Sequence, residues 1–146
     1  MSAETNLATH FTTLGIPATA QSWLLDLWNV IQVLDDAADG DRADPKDVSR
    51  AVWSIFATMP LNDFYRQYSA VLQPVLVLQI LKWEAANEAE ARGLANEKSY
   101  VWRAGYYDVA LMVCHLCGIG NVGHACMEMY GETYSEYLED QKCRGL

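Results

Sequence analysis

Trp23-Leu-Leu-Asp-Leu-Trp-Asn-Val-Ile-Gln-Val-Leu-Asp-Asp-Ala-Ala-Asp39 is the stretch that decides the fold class. Leu24, Leu27, Ile31, Leu34 and Ala38 recur at three- and four-residue steps, which is one face of an α-helix rather than the two-residue alternation of a strand. Trp23 and Trp28 widen that face. A helix is therefore expected from about Ala18 to Ala38, with Gly40 as its stop. Before it, Ala3–Thr13 reads as a short helix ended by Gly15 and Pro17.

Downstream, Asp44-Pro45-Lys46-Asp47 is a helix start, with Asp as N-cap and Pro at the first helical position. The helix that follows is expected to send Val48, Val52 (or Trp53), Ile55 and Phe56 to the core and to end before Met59-Pro60. Asn62 or Asp63 would cap a short turn over Phe64–Tyr68, and Ser69 the next long helix, with Pro74 near its first turn. Val71–Leu81 is apolar on every face, which predicts a helix surrounded by others. Beyond Trp83 it turns polar and stops at Gly93. Asn96 opens a helix over about Glu97–Cys117, Gly118–Gly123 forms a turn, and a last helix is expected over about Val122–Asp140. That helix would carry Val122, Cys126, Met129/Tyr130, Thr133 and Tyr137 on one face, and Glu128, Glu132, Glu136 and Glu139/Asp140 on the other. The expectation is an all-α, single-domain bundle spanning residues 1–146, of five to seven helices around a central apolar pair, 70–92 and 97–117.

Composition limits the function classes. Hydrophobic residues make up 51% and charged residues 20%, the balance of a globular chain. No apolar run is long enough to cross a membrane, and Met1-Ser-Ala-Glu-Thr-Asn6 has neither the basic nor the apolar region of a signal peptide. A cytoplasmic protein is expected, in which Cys114, Cys117, Cys126 and Cys143 are reduced thiols or metal ligands. The net charge of −9 is concentrated in two segments. Residues 35–47 hold six acids against two bases, residues 128–140 hold five acids and no base, and the rest of the chain is balanced. Two acidic surfaces exclude the phosphate neutralisation on which nucleic-acid binding depends, and favour a cation or a basic protein surface.

Asp35, Asp36 and Asp39 share the end of the long helix, because residues three and four apart are neighbours on its surface. Asn29 and Gln32 extend the polar strip upstream. Carboxylates at a helix C-terminus oppose the macrodipole at a cost of about 0.3–1 kcal/mol each. Mg²⁺, a partner's Lys or Arg, or Arg42 and Lys46 nearby would relieve them. Gln32-Val-Leu-Asp-Asp-Ala-Ala-Asp39 resembles the aspartate-rich motif of trans-isoprenyl diphosphate synthases. That resemblance implies Asp35, Asp36 and Asp39 as Mg²⁺ ligands clamping a diphosphate. The chain is about half the length that family requires and carries no second such motif. An EF-hand does not fit, since Ala37 and Lys46 would occupy ligand positions.

Three further patterns carry chemistry on paper. Glu84, Glu88 and Asp108 form a second acidic group, but their spacing departs from that of small all-α pyrophosphohydrolases. Asp108 in an apolar helix needs a partner, for which His115, Arg103 and Lys82 are in reach. Cys114, Cys117, His124 and Cys126 have the density of a zinc site but not its spacing. Gly118-x-Gly120-x-x-Gly123 matches a dinucleotide fingerprint, yet follows a helix where that motif requires a strand. Trp28 with Val33-Leu-Asp-Asp-Ala-Ala-Asp-Gly-Asp41 and Met59-Pro-Leu-Asn-Asp-Phe64 resembles small α-helical proteins of unknown function encoded by phages and prophages. That resemblance implies an accessory protein that modulates a host factor.

The expected function is thus binding rather than catalysis. A basic protein partner would meet Asp36, Asp39 and Asp41 or Glu128, Glu132, Tyr134 and Glu136, with inhibition as one outcome. No cofactor is expected on that reading. The alternative is a Mg²⁺-dependent enzyme or binder of a phosphorylated small molecule at Asp35, Asp36 and Asp39. Two all-round apolar helices in so short a chain also leave room for a homodimer.

Overall fold

The computed structural model describes residues 3–129 and 131–144. They form an all-α fold with no strand among the described residues. The helices are α1 (Ala3–Leu14), α2 (Ala18–Ala38), α3 (Pro45–Trp53), α4 (Met59–Leu61), α5 (Asp63–Ala91), α6 (Glu97–Arg103), α7 (Tyr106–Leu116), α8 (Val122–Met127) and α9 (Tyr134–Arg144). A π-helical turn, Ser54–Thr58, joins α3 to α4. No helix among the described residues is long and apolar enough to cross a membrane. The chain divides into two compact units, Met1–Ser69 with Leu116–Ile119, and Ala70–His115 with Gly120–Leu146.

In the first unit α1 and α2 pack as a pair whose core is Phe11, Ile16, Ala20, Trp23, Leu24, Leu27 and Val30. The buried stripe of α2 runs through Trp23, Leu27 and Val30. Ile31 is only half-buried, and Leu34 and Ala38 are exposed, so the stripe is rotated from the one expected. Trp23 is its anchor, stacked on Tyr65 with ring centroids 5.6 Å apart. The end of α2 is closed at Gly40, whose φ of +76° suits a residue without Cβ. Asp41 N–H donates to Asp36 O (2.8 Å) and Gly40 N–H to Ala37 O (3.3 Å), the paired bonds of a Schellman cap.

The next segment overturns an expectation. Asp44 caps α3 as foreseen, its carboxylate accepting from Lys46 N–H at 2.8 Å. However, α3 and the π-helical turn pack on α2 through Ala51 and Ser54. Val48, Val52, Trp53, Ile55 and Phe56, expected in the core, are exposed. Small residues allow close helix approach, and the large ones are left on the opposite side. The chain also remains helical through Pro60. Proline has no N–H for the Phe56 carbonyl, and its ring would press on it. The widened turn avoids this, with Met59 N–H donating to Ser54 O instead.

In the second unit α7 buries Tyr106, Val109, Ala110, Val113 and Cys114, the three- and four-residue steps of a core helix. Three expectations change here. First, α5 is not surrounded by other helices. It buries a narrow stripe at Leu72, Gln79 and Ala86, while Val71, Val77, Leu78, Ile80 and Leu81 are about half exposed. It is continuous with the segment before it, bent at Tyr68 (φ −115°, ψ 17°). Second, the helix expected over 97–117 is broken between α6 and α7. A Cβ on Gly105 would lie 3.1 Å from Gln79 Cγ and 3.6 Å from Gln79 Cα, so the backbone turns where it meets α5. Third, the helix expected over 122–140 is two helices, α8 and α9, separated around Gly131. Glu128 and Glu132 therefore do not continue the face of α9 that holds Glu136.

Candidate functional site

The acids of residues 35–47 have distinct roles. Asp35 is half-buried, and Asp36, Asp39 and Asp41 are exposed. The backbones of Asp35 and Asp36 accept the N–H groups of Asp39 and Asp41 that close the helix. Asp44 is committed to capping α3. The last turn of α2 contains no basic residue, so the negative end of its macrodipole faces carboxylates of the same sign. Among the described residues, no three His, Cys, Asp or Glu side chains are grouped so as to hold a metal ion. That covers Asp35, Asp36 and Asp39, the group of Glu84, Glu88 and Asp108, and the set of Cys114, Cys117, His124 and Cys126.

Three members of those other sets, Asp108, Glu88 and His124, lie against other charged groups. Asp108 is half-exposed and paired with Lys82 (Nζ to Oδ2 2.5 Å), which answers its need for a counter-charge. Glu88 bonds to Arg92 at 2.6 Å one turn on. Cys114 is buried in α7, and burial pushes the half-buried Cys117 thiol up, away from the thiolate that zinc would need. His124 lies 4.0 Å from Glu128. The four cysteines form no disulfide among the described residues. Gly118–Asn121 is a helix-to-helix turn, in which Asn121 Oδ1 accepts His124 N–H at 3.0 Å to start α8, and Gly123 lies within that helix.

The acidic C-terminal segment is likewise drawn into local structure. Glu136 N–H donates to Thr133 Oγ1, and the Thr133 hydroxyl donates to Glu136 Oε1, each at 3.1 Å, which opens α9. The Tyr100 hydroxyl donates to Glu132 O. Burial pushes the Glu132 carboxyl up, and the neighbouring Asp140, Glu136 and Glu90 push it in the same direction. Tyr134 is half-buried with its ring 5.6 Å from that of Tyr100. Tyr130 lies outside the described residues. Tyr137 is buried.

Tyr137 belongs to a polar network that the sequence did not reveal. Arg103 Nε–H donates to Glu90 Oε2 (3.1 Å), and its Nη2 group to Glu90 Oε1 (2.7 Å) and Asn87 Oδ1 (2.5 Å). The Tyr137 hydroxyl lies 2.9 Å from Glu90 Oε2 and 2.7 Å from Ser99 Oγ. Ser99, completely buried, completes the Asn96 capping box of α6. Such a bidentate, hydrogen-bonded pair holds α5, α6 and α9 in one register.

One surface is unmatched. Trp53, Phe56 and Leu61 are 68%, 79% and 69% exposed, beside Val48, Val52 and Ile55. On a helix Asp44, Val48 and Val52 succeed one another at four-residue steps, so the ridge begins at the acidic turn 39–47. Contiguous apolar surface with a charged margin is the anatomy of a docking site, and aromatic residues are its usual anchors. Compared with known proteins, the chain matches no family model, no curated protein and no solved structure.

Proposed function

We propose that the protein is a non-enzymatic binding protein that docks a basic, amphipathic segment of a partner protein on the α3–α4 ridge and modulates that partner by covering it. The exposure of Trp53, Phe56 and Leu61, on a helix whose opposite face is buried through Ala51 and Ser54, carries this reading. Trp and Phe contribute large contact area, and the carboxylates of Asp36, Asp39, Asp41 and Asp47 select a basic approach. We place the encounter in the cytoplasm, where the chain's thiols would stay reduced. This is the role implied by the likeness to small phage-encoded helical proteins. The Mg²⁺ reading of Asp35, Asp36 and Asp39 has no comparable observation behind it.

The reading is tested with a fluorescently labelled helical peptide of leucine and lysine whose leucines share one face. Its anisotropy is followed as protein is added. A scrambled peptide of identical charge is the control. Saturable binding that favours the amphipathic order, and that W53A/F56A weakens by at least about tenfold, supports the proposal. Equal binding of the scrambled peptide, or no effect of W53A/F56A, refutes it.

A further inference from the structure

We propose that the exposed face of α5 in the second unit is a self-association surface that pairs with a second copy of the chain. Val71, Pro74, Val77, Leu78, Ile80 and Leu81 are exposed there, with the uncharged Gln73 among them, and cover about half the circumference of the helix at its 100° step per residue. Five of them are large apolar side chains near half exposure, which together offer on the order of 400 Å². No charged residue occurs between Arg66 and Lys82.

That absence of charge argues for the occupant. A partner chosen by its basic character would need an acidic margin, which this face lacks. A second copy carries the same net charge of −9 and is repelled wherever acidic surfaces meet. It can approach without that penalty only through a neutral face. Like must also meet like in a two-fold interface, and a face of apolar side chains is complementary to itself. Antiparallel pairing of two α5 helices would further set their macrodipoles in opposition. Twice the exposed area is below the roughly 1,200 Å² of a stable specific interface, so the dimer is weak and concentration-dependent.

The salt dependence is opposite in sign to that of a complex with a basic peptide. Screening removes the repulsion between two anionic chains, so the dimer tightens with added salt, whereas a basic peptide is released.

The test is sedimentation velocity of the full chain from about 1 µM to about 500 µM, in about 50 mM and about 500 mM salt. Wild type is expected to associate as concentration rises, and more readily in high salt. L78E/L81E and L78K/L81K should each weaken association by at least about a hundredfold while keeping the helical circular dichroism of wild type. An equimolar mixture of the two variants should associate again, because their faces would then be complementary. F56D, on the ridge of the first unit, should leave association unchanged. A wild type that stays monomeric throughout would overturn the proposal and leave the face to some other occupant. Association that survives in both α5 variants, or that F56D abolishes, would overturn it too.

Discussion

Replacing Tyr137 by phenylalanine removes one hydroxyl from the buried network and nothing else. A phenol has one proton and the Glu90 carboxylate can only accept. Tyr137 therefore donates to Glu90 (2.9 Å), and the Ser99 hydroxyl is the donor across the 2.7 Å contact. Without the phenol, Glu90 keeps its two bonds from Arg103, and Ser99 turns its proton to Asn96 O at 3.0 Å. No group is stranded, so the loss is at the lower end for a bond to a charged acceptor, about 1–2 kcal/mol. The pH dependence identifies the group. Burial first of all, and then the hydrogen bond to Glu90, push the Tyr137 hydroxyl from 10.0 up to about 12, against the lowering effect of the Ser99 bond. The folded state thus holds this proton more tightly than the unfolded chain. Its contribution is complete below pH 10 and is lost as pH rises through about 12. Tyr106 and Tyr107, also raised by burial, add to the alkaline loss in wild type and variant alike. Urea unfolding followed by circular dichroism should show Y137F less stable at neutral pH and the difference narrowing above pH 10. A difference below about 0.3 kcal/mol at neutral pH, or one that does not change with pH, would refute the network as described.

Trp23 and Trp53, one buried and one exposed, should behave oppositely. W23A removes a side chain that is 1% exposed and should cost about 3–5 kcal/mol in urea unfolding, whereas W53A/F56A should stay within about 0.5 kcal/mol of wild type. G105A brings a methyl against Gln79 Cγ at 3.1 Å and should lower stability by about 1–3 kcal/mol, by thermal unfolding, despite alanine's better helix propensity. K82A breaks a half-exposed pair with Asp108; the cost should be no more than about 1 kcal/mol and should shrink in high salt.

Local chemistry was legible and facing was not. The stops at Gly15, Gly40, Gly93 and Gly118 all occur at positive φ, and the caps at Asp44 and Asn96 form as read, because each depends on a few adjacent residues. Which face of α3 is buried depends on how closely that helix approaches α2. Ala51 and Ser54 permit a closer approach than Val52 and Phe56 would, and the periodicity is the same for both outcomes. The all-apolar run of α5 gave no means of distinguishing a helix covered on every side from one covered on a single stripe. The break at Gly105 arises from contact with Gln79, twenty-six residues earlier in the chain. The break before α9 did have a local sign, the Thr133-x-x-Glu136 start behind Gly131. The Arg103–Glu90–Tyr137 network joins residues far apart in sequence and left no local pattern. Among the acids, Asp44 caps α3 and Glu136 is bound to the Thr133 hydroxyl that opens α9, while Asp36, Asp39 and Asp41 are exposed.

Amide hydrogen exchange of the protein with and without the leucine–lysine peptide tests the central claim most directly. The proposed docking mode predicts new protection over residues 39–61, with residues 128–140 unchanged. Protection confined to 128–140, with none on α3 or α4, would contradict it.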